Sequence, residues 1–397
     1  MVAGHLTLKN GKYYAVIGYT GLDGKRVTKW IYTGYKEKGG KKKAEEALYK
    51  IRCEYAKPVS ADDLSGDMLF DDYLLNWIEI AKARITPSTY YSYKNSIKNI
   101  INPYFHPKSL KLSEVQARHL QQFYTYKLET VKPATVIHYH GILQSALQYA
   151  FKMDLVLQNV ARKVDKPKLN DFEPVFLSAE EMEKIFEALK GNKLELPVML
   201  AAFYGMRRGE VLGLKWDAID FKRNTISIRR TVTSVVIDGK HVDIESDTPK
   251  SKSSIRTLPL VDRFKEYFVE MRQMQEYNKK ICGNSYNYDY DGYVFVDEMG
   301  NRMSTRCLSV GFPNFLKKNG FKKMRFHDLR HSCASLLLYN GVSIKQIQEW
   351  LGHADFSTTA NIYAHLDSSA KMFSAKALEE GLKLPEDIEL RSGWAGA

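Results

Sequence analysis

The chain has 397 residues, of which 44% are hydrophobic and 26% are charged, and its formal net charge is +13. These proportions are typical of a folded globular protein and exclude a chain that is disordered throughout. The longest apolar run, residues 196–206, is far shorter than the roughly 20 residues that a membrane-spanning helix needs, and residues 1–10 have no apolar signal core. The four cysteines are far apart and form no CxxC pair, so we expect a reducing cytoplasm and neither a disulfide scaffold nor a zinc ribbon.

The positive charge is concentrated at the start of the chain. Residues 1–58 carry 13 Lys and Arg against 5 Asp and Glu, a net charge of +8, whereas residues 171–397 carry 32 against 31. A small, strongly basic segment indicates a polyanionic partner, most often nucleic acid, although a solvated basic surface has the same composition.

Residues 6–35 are predicted to form a small antiparallel sheet. Asn10-Gly11 and Asp23-Gly24 are typical of tight hairpin turns, in which both central residues need a positive φ. A helix is predicted over residues 41–55 from the spacing of its apolar residues. Three strands and a helix with exposed Lys and Tyr can place a sheet in a DNA groove; a protein-interaction module is the alternative.

From Met68 to about Val164 the pattern is helical. Thr86 and Pro87 are typical of an N-cap followed by proline in the first helical position. The helix that they open carries several tyrosines and lysines, which suit either phosphate contacts or a core. A basic connector over 162–168 suits a DNA backbone or a solvated linker.

A third segment begins near Phe176. Residues 178–181, Ser-Ala-Glu-Glu, predict a capping box at the start of an amphipathic helix. Residues 225–260 alternate like strands, with a hairpin signal at Asp238-Gly239, and the pattern after them is mostly helical.

Four separated segments carry residue types that suit chemistry at a phosphodiester. They are GMRRGEVLGLKW at 205–216, TPKSKSSIRTLPL at 248–260, HDLRH at 327–331, and LGHA at 351–354 with a tyrosine at 363. His and Arg three residues apart in HDLRH leave one face of a helix.

These residues match the needs of phosphoryl transfer. Arginine donates paired hydrogen bonds to non-bridging oxygens, keeps its charge, and stabilises the charge that develops in the transition state. A tyrosine oxygen can attack phosphorus if a neighbouring group takes its proton, because its free pKa is about 10. A lysine can protonate the leaving oxygen.

The order of the four segments resembles the tyrosine recombinase (phage integrase) family, especially integrases of conjugative transposons and phages, over nearly the whole chain. Gly-x-Arg-x-x-Glu, a Lys in a β-turn before Arg-Thr-Leu-Pro, His-x-x-Arg, Leu-Gly-His and a downstream Tyr occur in the order found in the family. The resemblance implies six catalytic residues, namely Arg207, Lys250, His327, Arg330, His353 and Tyr363.

The resemblance also implies how the cations divide the work. Arg207 and Arg330 would clamp the scissile phosphate, and Glu210 would orient Arg207 as a supporting carboxylate without reacting. Lys250 would lie on a hairpin and protonate the leaving oxygen, with Lys252 as a rival for that role.

The remaining three residues complete the implied reaction. Tyr363 would be the nucleophile, and His327 and His353 would complete the pocket, with His327 our choice to accept the tyrosine proton. The product would be a 3′-phosphotyrosyl link and a free 5′-hydroxyl. Because the diester energy is kept in that bond, we expect no cofactor, ATP or metal.

The family likeness implies a multidomain, mainly α fold with small β-sheets. The expected parts are an arm-type DNA-binding domain of three strands and a helix over 1–58, a linker over 59–67, a helical core-binding domain over 68–165, a linker over 166–175, a mixed α+β catalytic domain with a C-terminal helix over 176–384, and a tail over 385–397.

The implied function is integration and excision of a mobile genetic element, either a conjugative transposon or a prophage, through a Holliday junction. The expected partners are double-stranded DNA at core and arm sites and a homotetramer on that DNA, with an excisionase or a host DNA-bending protein as candidate accessory factors. We expect no membrane association and a location at the bacterial nucleoid in the cytoplasm.

An amphipathic helix over 369–384 would dock on the next protomer or on its own domain.

The sequence leaves three alternative functions open. HDLRH is close to the helical zinc motif of metalloproteases, with His327 and His331 as ligands, although Asp stands in place of the usual Glu and no third ligand is evident nearby. A type IB topoisomerase would share the chemistry but would not need an arm-type domain. A DNA-binding regulator with a decayed site would not keep all six catalytic positions.

Overall fold

The computed structural model of the protein describes residues 3–20, 26–55, 64–169, 176–237, 239–246 and 255–352. The chain divides into two compact units. The first unit comprises residues 1–171 and 235–242, and the second comprises residues 172–234 and 243–397.

The first unit begins with a three-stranded antiparallel sheet in the order β1 (Ala3–Lys9), β2 (Lys12–Thr20) and β3 (Arg26–Lys36). The turn between β1 and β2 has φ values of 51° at Asn10 and 67° at Gly11, as predicted for a tight hairpin turn. The second predicted turn, Asp23-Gly24, lies outside the described residues.

Helix α1 (Glu37–Tyr55) covers one face of this sheet. Lys38 and Gly39 have non-helical backbone angles, with φ of 75° at Gly39, so the regular helix begins after them, close to the predicted start. Ala15 and Ile17 of β2 are fully buried, because they lie on the face that α1 covers.

Residues 70–152 of the first unit are mostly helical, as the spacing of apolar residues predicts. Its helices are α2 (Phe70–Ala81), α3 (Pro87–Ser96), α4 (Asn102–Phe105), α5 (Ala117–Leu128) and α6 (Pro133–Lys152), and a π-helical stretch (Ile97–Ile101) joins α3 to α4. The Thr86 side chain caps α3 by accepting the backbone N–H of Thr89. Tyr90 is a core residue rather than an exposed one, since its side chain is buried and its hydroxyl donates to Glu79 at 2.8 Å.

The part of the chain after residue 176 combines helices with two small sheets, and residues 235–242, which include parts of one of these sheets, belong to the first unit. The helices are α7 (Ala179–Leu189), α8 (Glu195–Phe203), α9 (Arg208–Leu212), α10 (Asp262–Cys282), α11 (Phe312–Lys318), α12 (Asp328–Tyr339) and α13 (Ile344–Leu351). The strands are β4 (Ile219–Asp220), β5 (Thr225–Ile228), β6 (Thr231–Ile237), β7 (Lys240–Ser246) and β8 (Arg256–Pro259).

Strand order and capping follow the local sequence. One sheet has the order β4-β5-β8, and β6 pairs with β7 as a separate hairpin, with Gly239 at φ 79° in its turn. Asp238 of that predicted turn lies outside the described residues. The capping box predicted at Ser178 is present, because the Ser178 side chain accepts the Glu181 N–H while Glu181 accepts the Ser178 N–H.

The predicted fold class is confirmed: the protein is multidomain and mainly α, with a leading three-stranded sheet, a helical part and a mixed α+β part. Among the described helices, none combines the length and apolar character needed to cross a bilayer.

Candidate active site

Arg207 and Glu210 lie at the start of the short helix α9. The Arg207 backbone N–H donates to Glu210 Oε2 at 3.0 Å, and its guanidinium Nη1 donates to Glu210 Oε1 at 2.7 Å. The carboxylate therefore closes the helix N-terminus and holds the arginine side chain at the same time. The Arg207 side chain is 35% exposed, whereas the Glu210 side chain is buried.

A second guanidinium contacts the same carboxylate. Arg256, the first residue of β8, donates from Nη2 to Glu210 Oε2 at 3.0 Å, and its side chain is also buried. Burial alone raises the pKa of Glu210, but Arg256 and then Arg207 outweigh burial and lower it. Glu210 is thus held as an anion at neutral pH.

Arg330 lies in the first turn of α12 and is buried. Its Nη1 donates to the carbonyl of Gly205, and its Nη2 donates to the carbonyl of Leu351 at 2.7 Å. Burial and then the neighbouring Arg207 lower the pKa of Arg330, while Glu210 acts in the opposite direction. An arginine starts from so high a pKa that we treat this one as charged.

The two predicted phosphate-binding arginines meet at the C-terminus of α13. Arg207 Nη2 donates to the carbonyl of Gly352 at 3.3 Å, next to the Leu351 carbonyl that Arg330 contacts. Gly352 caps α13 in a left-handed conformation, with φ 67°. Carbonyl groups at a helix C-terminus carry partial negative charge, so they favour guanidinium groups beside them.

His327 immediately precedes α12, and its side chain is exposed, whereas Arg330 three residues later is buried. The His327 ring meets the His331 ring edge to face at 5.0 Å between centroids. Although the residue presents surface to solvent, protein atoms around the imidazole ring desolvate its charged form. This desolvation, followed by the charges of His331, Arg330 and Arg207, lowers the pKa of His327 to about 4. A neutral imidazole at this place can accept a proton.

Asp328 fixes the first turn of α12. It is buried and accepts the Arg325 backbone N–H at 2.7 Å, while the Arg325 guanidinium donates to it at 2.6 Å. Among the described residues, no group of three His, Cys, Asp or Glu side chains is arranged to hold a metal ion.

The structure thus brings together some of the predicted site residues. Arg207, Glu210 and Arg330 share one network of contacts in the second unit, and His327 lies within the range of their charges. The other predicted catalytic residues lie outside the described residues; they are Lys250, His353 and Tyr363, together with the rival Lys252.

Two residues that hold the arginine network in place, Arg256 and Gly205, were not among the predicted site residues. Arg256 alternates with Leu258 on β8, and both side chains are buried, so a strict period of two would have placed the arginine on the inner face. Gly205 supplies the carbonyl that Arg330 contacts, and its φ is 60°. Its place just before Arg207 is the only sequence signal for that role.

The chain matches two known family descriptions. Residues 175–370 match the phage integrase family, and residues 69–128 match the phage integrase N-terminal SAM-like domain. The Tyrosine recombinase XerC-like protein of Caldanaerobacter subterraneus subsp. tengcongensis is 32% identical over 391 residues, which cover 94% of this chain and 97% of that protein. The ICEBs1 integrase of Bacillus subtilis is 24% identical over 379 residues, which cover 94% and 98%.

Solved structures share the fold. The Tn1549 transposon integrase in complex with transposon right end DNA has a TM-score of 0.64 and 19% identity, covering 80% of this chain and 100% of that one. A lambda integrase dimer bound to a core site has a TM-score of 0.53 and 18% identity, covering 90% and 93%. With the arginine network of the second unit and the near-complete coverage by a 32% identical relative, the chain belongs to the phage integrase family of tyrosine recombinases, enzymes that break and rejoin DNA.

Proposed function

We propose that this recombinase integrates and excises a mobile genetic element, of the conjugative transposon or prophage type, with Tyr363 as its nucleophile. The observation that carries the proposal is the meeting of Arg207 and Arg330 at the carbonyls of Leu351 and Gly352. These carbonyls directly precede His353, and Tyr363 follows ten residues later along the chain.

The two arginines would bind the non-bridging oxygens of one DNA phosphate. Arg207 is partly exposed, so part of its guanidinium can face a ligand while Nη1 remains on Glu210. Each guanidinium carries five N–H donors in a planar fork, a geometry that matches the oxygens of a phosphate. Fixed donors of this kind stabilise the charge on the transition state.

The reaction forms one bond and breaks one bond in each step. The Tyr363 oxygen attacks phosphorus, its proton passes to His327, and the bond from phosphorus to the 5′-oxygen breaks. Lys250 protonates the departing 5′-oxygen, while His353 completes the pocket. A 5′-hydroxyl from a partner duplex then attacks the phosphorus of the 3′-phosphotyrosyl link, and its proton passes to Lys250. The bond from phosphorus to the Tyr363 oxygen breaks, and His327 returns a proton to that oxygen.

Strand exchange between two duplexes needs four active sites, so the working form would be a homotetramer on double-stranded DNA. The helix predicted over 369–384 would contact the next protomer, and it lies outside the described residues. An excisionase or a host DNA-bending protein would set the direction of the reaction. We place this reaction at the bacterial nucleoid, since chromosomal DNA is its substrate.

The division of labour along the chain would follow the predicted boundaries. Residues 1–58 would bind arm-type sites, residues 68–165 would bind the core site, and residues 176–384 would carry out catalysis. Residues 59–67 and 166–175 would be the linkers.

A nicked duplex from the end of the element tests the proposal. Wild-type protein should form a covalent adduct that survives a denaturing gel, because the nick lets the cut fragment diffuse away. Tyr363→Phe should bind the same duplex with unchanged affinity and form no adduct, since only the phenolic oxygen is missing. An adduct in the variant, or one that maps to another tyrosine, would show that Tyr363 is not the nucleophile.

A further inference from the structure

Arg256 is a buried cation for which the proposed reaction has no direct use. It is the first residue of β8, which pairs with β5, and it faces inward with Leu258. Only 5% of its side chain is exposed, and it is not one of the six catalytic residues that the motif order implies.

Arg256 contacts the carboxylate that holds Arg207. Arg256 Nη2 lies 3.0 Å from Glu210 Oε2, the same oxygen that accepts the Arg207 backbone N–H at 3.0 Å. The other oxygen, Oε1, accepts Arg207 Nη1 at 2.7 Å. One buried carboxylate therefore couples an inner arginine to an arginine that is partly exposed.

Within the described part of the chain, the charges that act on Glu210 come from three places: Arg207 before α9, Arg256 on β8 and Arg330 on α12. Among these charges Arg256 does most to lower the pKa of the buried carboxyl, which burial alone would raise. A Glu210 that took up a proton would lose a charge-assisted acceptor for Arg207 Nη1, and the side chain would no longer be held in one orientation.

We propose that Arg256 is a positioning residue of the DNA-cleavage reaction, which acts through Glu210 to hold the Arg207 guanidinium in place. This inference rests on the proposed function, because Arg207 must contact the scissile phosphate for its orientation to matter. In the proposed reaction, Arg256 contacts neither DNA nor the reacting atoms.

The first test compares Arg256→Gln with wild type in adduct formation on the nicked duplex. The variant should cleave about 10- to 100-fold more slowly at pH 8, the scale expected for a misplaced catalytic group. The ratio of wild-type to variant rate should increase further as the pH falls to 5.5, because the pKa of Glu210 rises without Arg256. DNA affinity should stay the same.

A matched control removes another buried arginine from the same unit. The Arg302 side chain is 4% exposed, donates to Asp243 at 3.3 Å, and lies over the Tyr290 and Tyr293 rings at 4.9 and 5.1 Å. Arg302→Gln should lower the melting temperature without the pH-dependent loss of cleavage. Arg256→Lys and Arg302→Lys form a second pair that keeps both charges and avoids an unpaired buried carboxylate, and only Arg256→Lys should slow cleavage.

A double variant that combines Arg256→Gln with Glu210→Gln distinguishes a positioning role of Arg256 from a general loss of structure. If Arg256 acts through Glu210, the double variant Arg256→Gln with Glu210→Gln should cleave no more slowly than Glu210→Gln alone. Multiplied losses, or equal cleavage by each Arg256 variant and its Arg302 counterpart, would overturn the positioning role while leaving the recombinase reaction intact. No adduct with wild-type protein would overturn the proposed function and this inference together.

Discussion

Gly205 occupies a tightly constrained position beside the two arginines. Its φ is 60°, a conformation that residues with a Cβ rarely adopt, and its carbonyl accepts a hydrogen bond from Arg330. A Cβ at this position would lie 2.1 Å from Leu351 Cδ2 and 3.5 Å from Cys333 Sγ. Both the backbone conformation and the close packing therefore require glycine.

Gly205→Ala should lower the free energy of unfolding by at least about 2 kcal/mol, because backbone strain and overpacking each cost about 1–3 kcal/mol. Gly191→Ala is the matched control, since Gly191 has a similar φ of 71° and no atom within 4 Å of its would-be Cβ. Urea denaturation of both variants measures the difference. An equal loss of stability in the two would show that packing against Leu351 is unimportant.

His327 makes the stability of the protein depend on pH. Its pKa is lowered to about 4 in the folded chain, against roughly 6.5 in an unfolded one. Between these values the unfolded chain binds more protons, so the free energy of unfolding falls as the pH is lowered from 7 towards 4. His327→Gln should show a smaller fall between pH 7 and pH 5 in urea denaturation; a fall as large as that of wild type would contradict the shifted pKa.

At the scale of an element, the leading sheet has two unlike faces. The cross-strand pair Tyr14–Tyr32 and the pair Val16–Trp30 share the face away from α1. The Trp30 side chain is 51% exposed and lies 6.4 Å from the Tyr14 ring, and Lys9 Nζ lies 5.6 Å from the Trp30 ring. An exposed aromatic surface edged by lysines suits contact with a DNA groove and its phosphates.

Trp30→Ala in the full-length protein should weaken binding to a duplex that carries the ends of the element by at least about fivefold, the scale of a central aromatic contact. Leu8 is the matched control because it is also exposed but pairs with Tyr13, and therefore lies on the other face. Fluorescence anisotropy of a labelled duplex measures both affinities. Equal affinities for Trp30→Ala and Leu8→Ala would assign DNA contact to another surface.

At the scale of the whole molecule, the excess positive charge and the candidate active site are in different parts of the chain. Residues 1–58 hold 8 of the 13 net positive charges, whereas Arg207, Glu210 and Arg330 lie in the second compact unit. Each phosphate contact contributes about 0.9 to the slope of log affinity against log salt concentration. DNA affinity should therefore depend on residues 1–58 and on the second unit, whereas DNA cleavage should depend mainly on the second unit.

Deletion of residues 1–58 should make the salt dependence of DNA binding shallower, because phosphate contacts are lost with the basic segment. Cleavage of a nicked core-site duplex should persist at low salt, since the arginine network remains. Titrations between 50 and 200 mM salt, about the range in which such contacts are resolved, measure the slope. An unchanged slope would mean that the leading segment does not contact DNA.

Much of the fold follows from local chemistry along the chain. The turn at Asn10-Gly11, the Thr86 cap and the Ser178 capping box depend on residues within a few positions of one another, and the structure has all three. The motif order likewise indicated the family to which the chain belongs. The sequence left open whether Tyr90 contacts phosphate or packs in the core. The structure decides for the core, because only tertiary packing determines which face of a helix is covered.

The contacts of the candidate active site join residues that are far apart in the sequence, so local sequence patterns do not predict them. Arg256 meets Glu210 across 46 positions of sequence, Arg330 meets Gly205 across 125, and Arg207 meets Gly352 across 145. A recurring motif can identify Arg207, Glu210 and Arg330, because the chemistry of phosphoryl transfer restricts the residue types. Which buried carboxylate, carbonyl or cation holds each of them depends on long-range packing, and no local pattern in the chain records that arrangement.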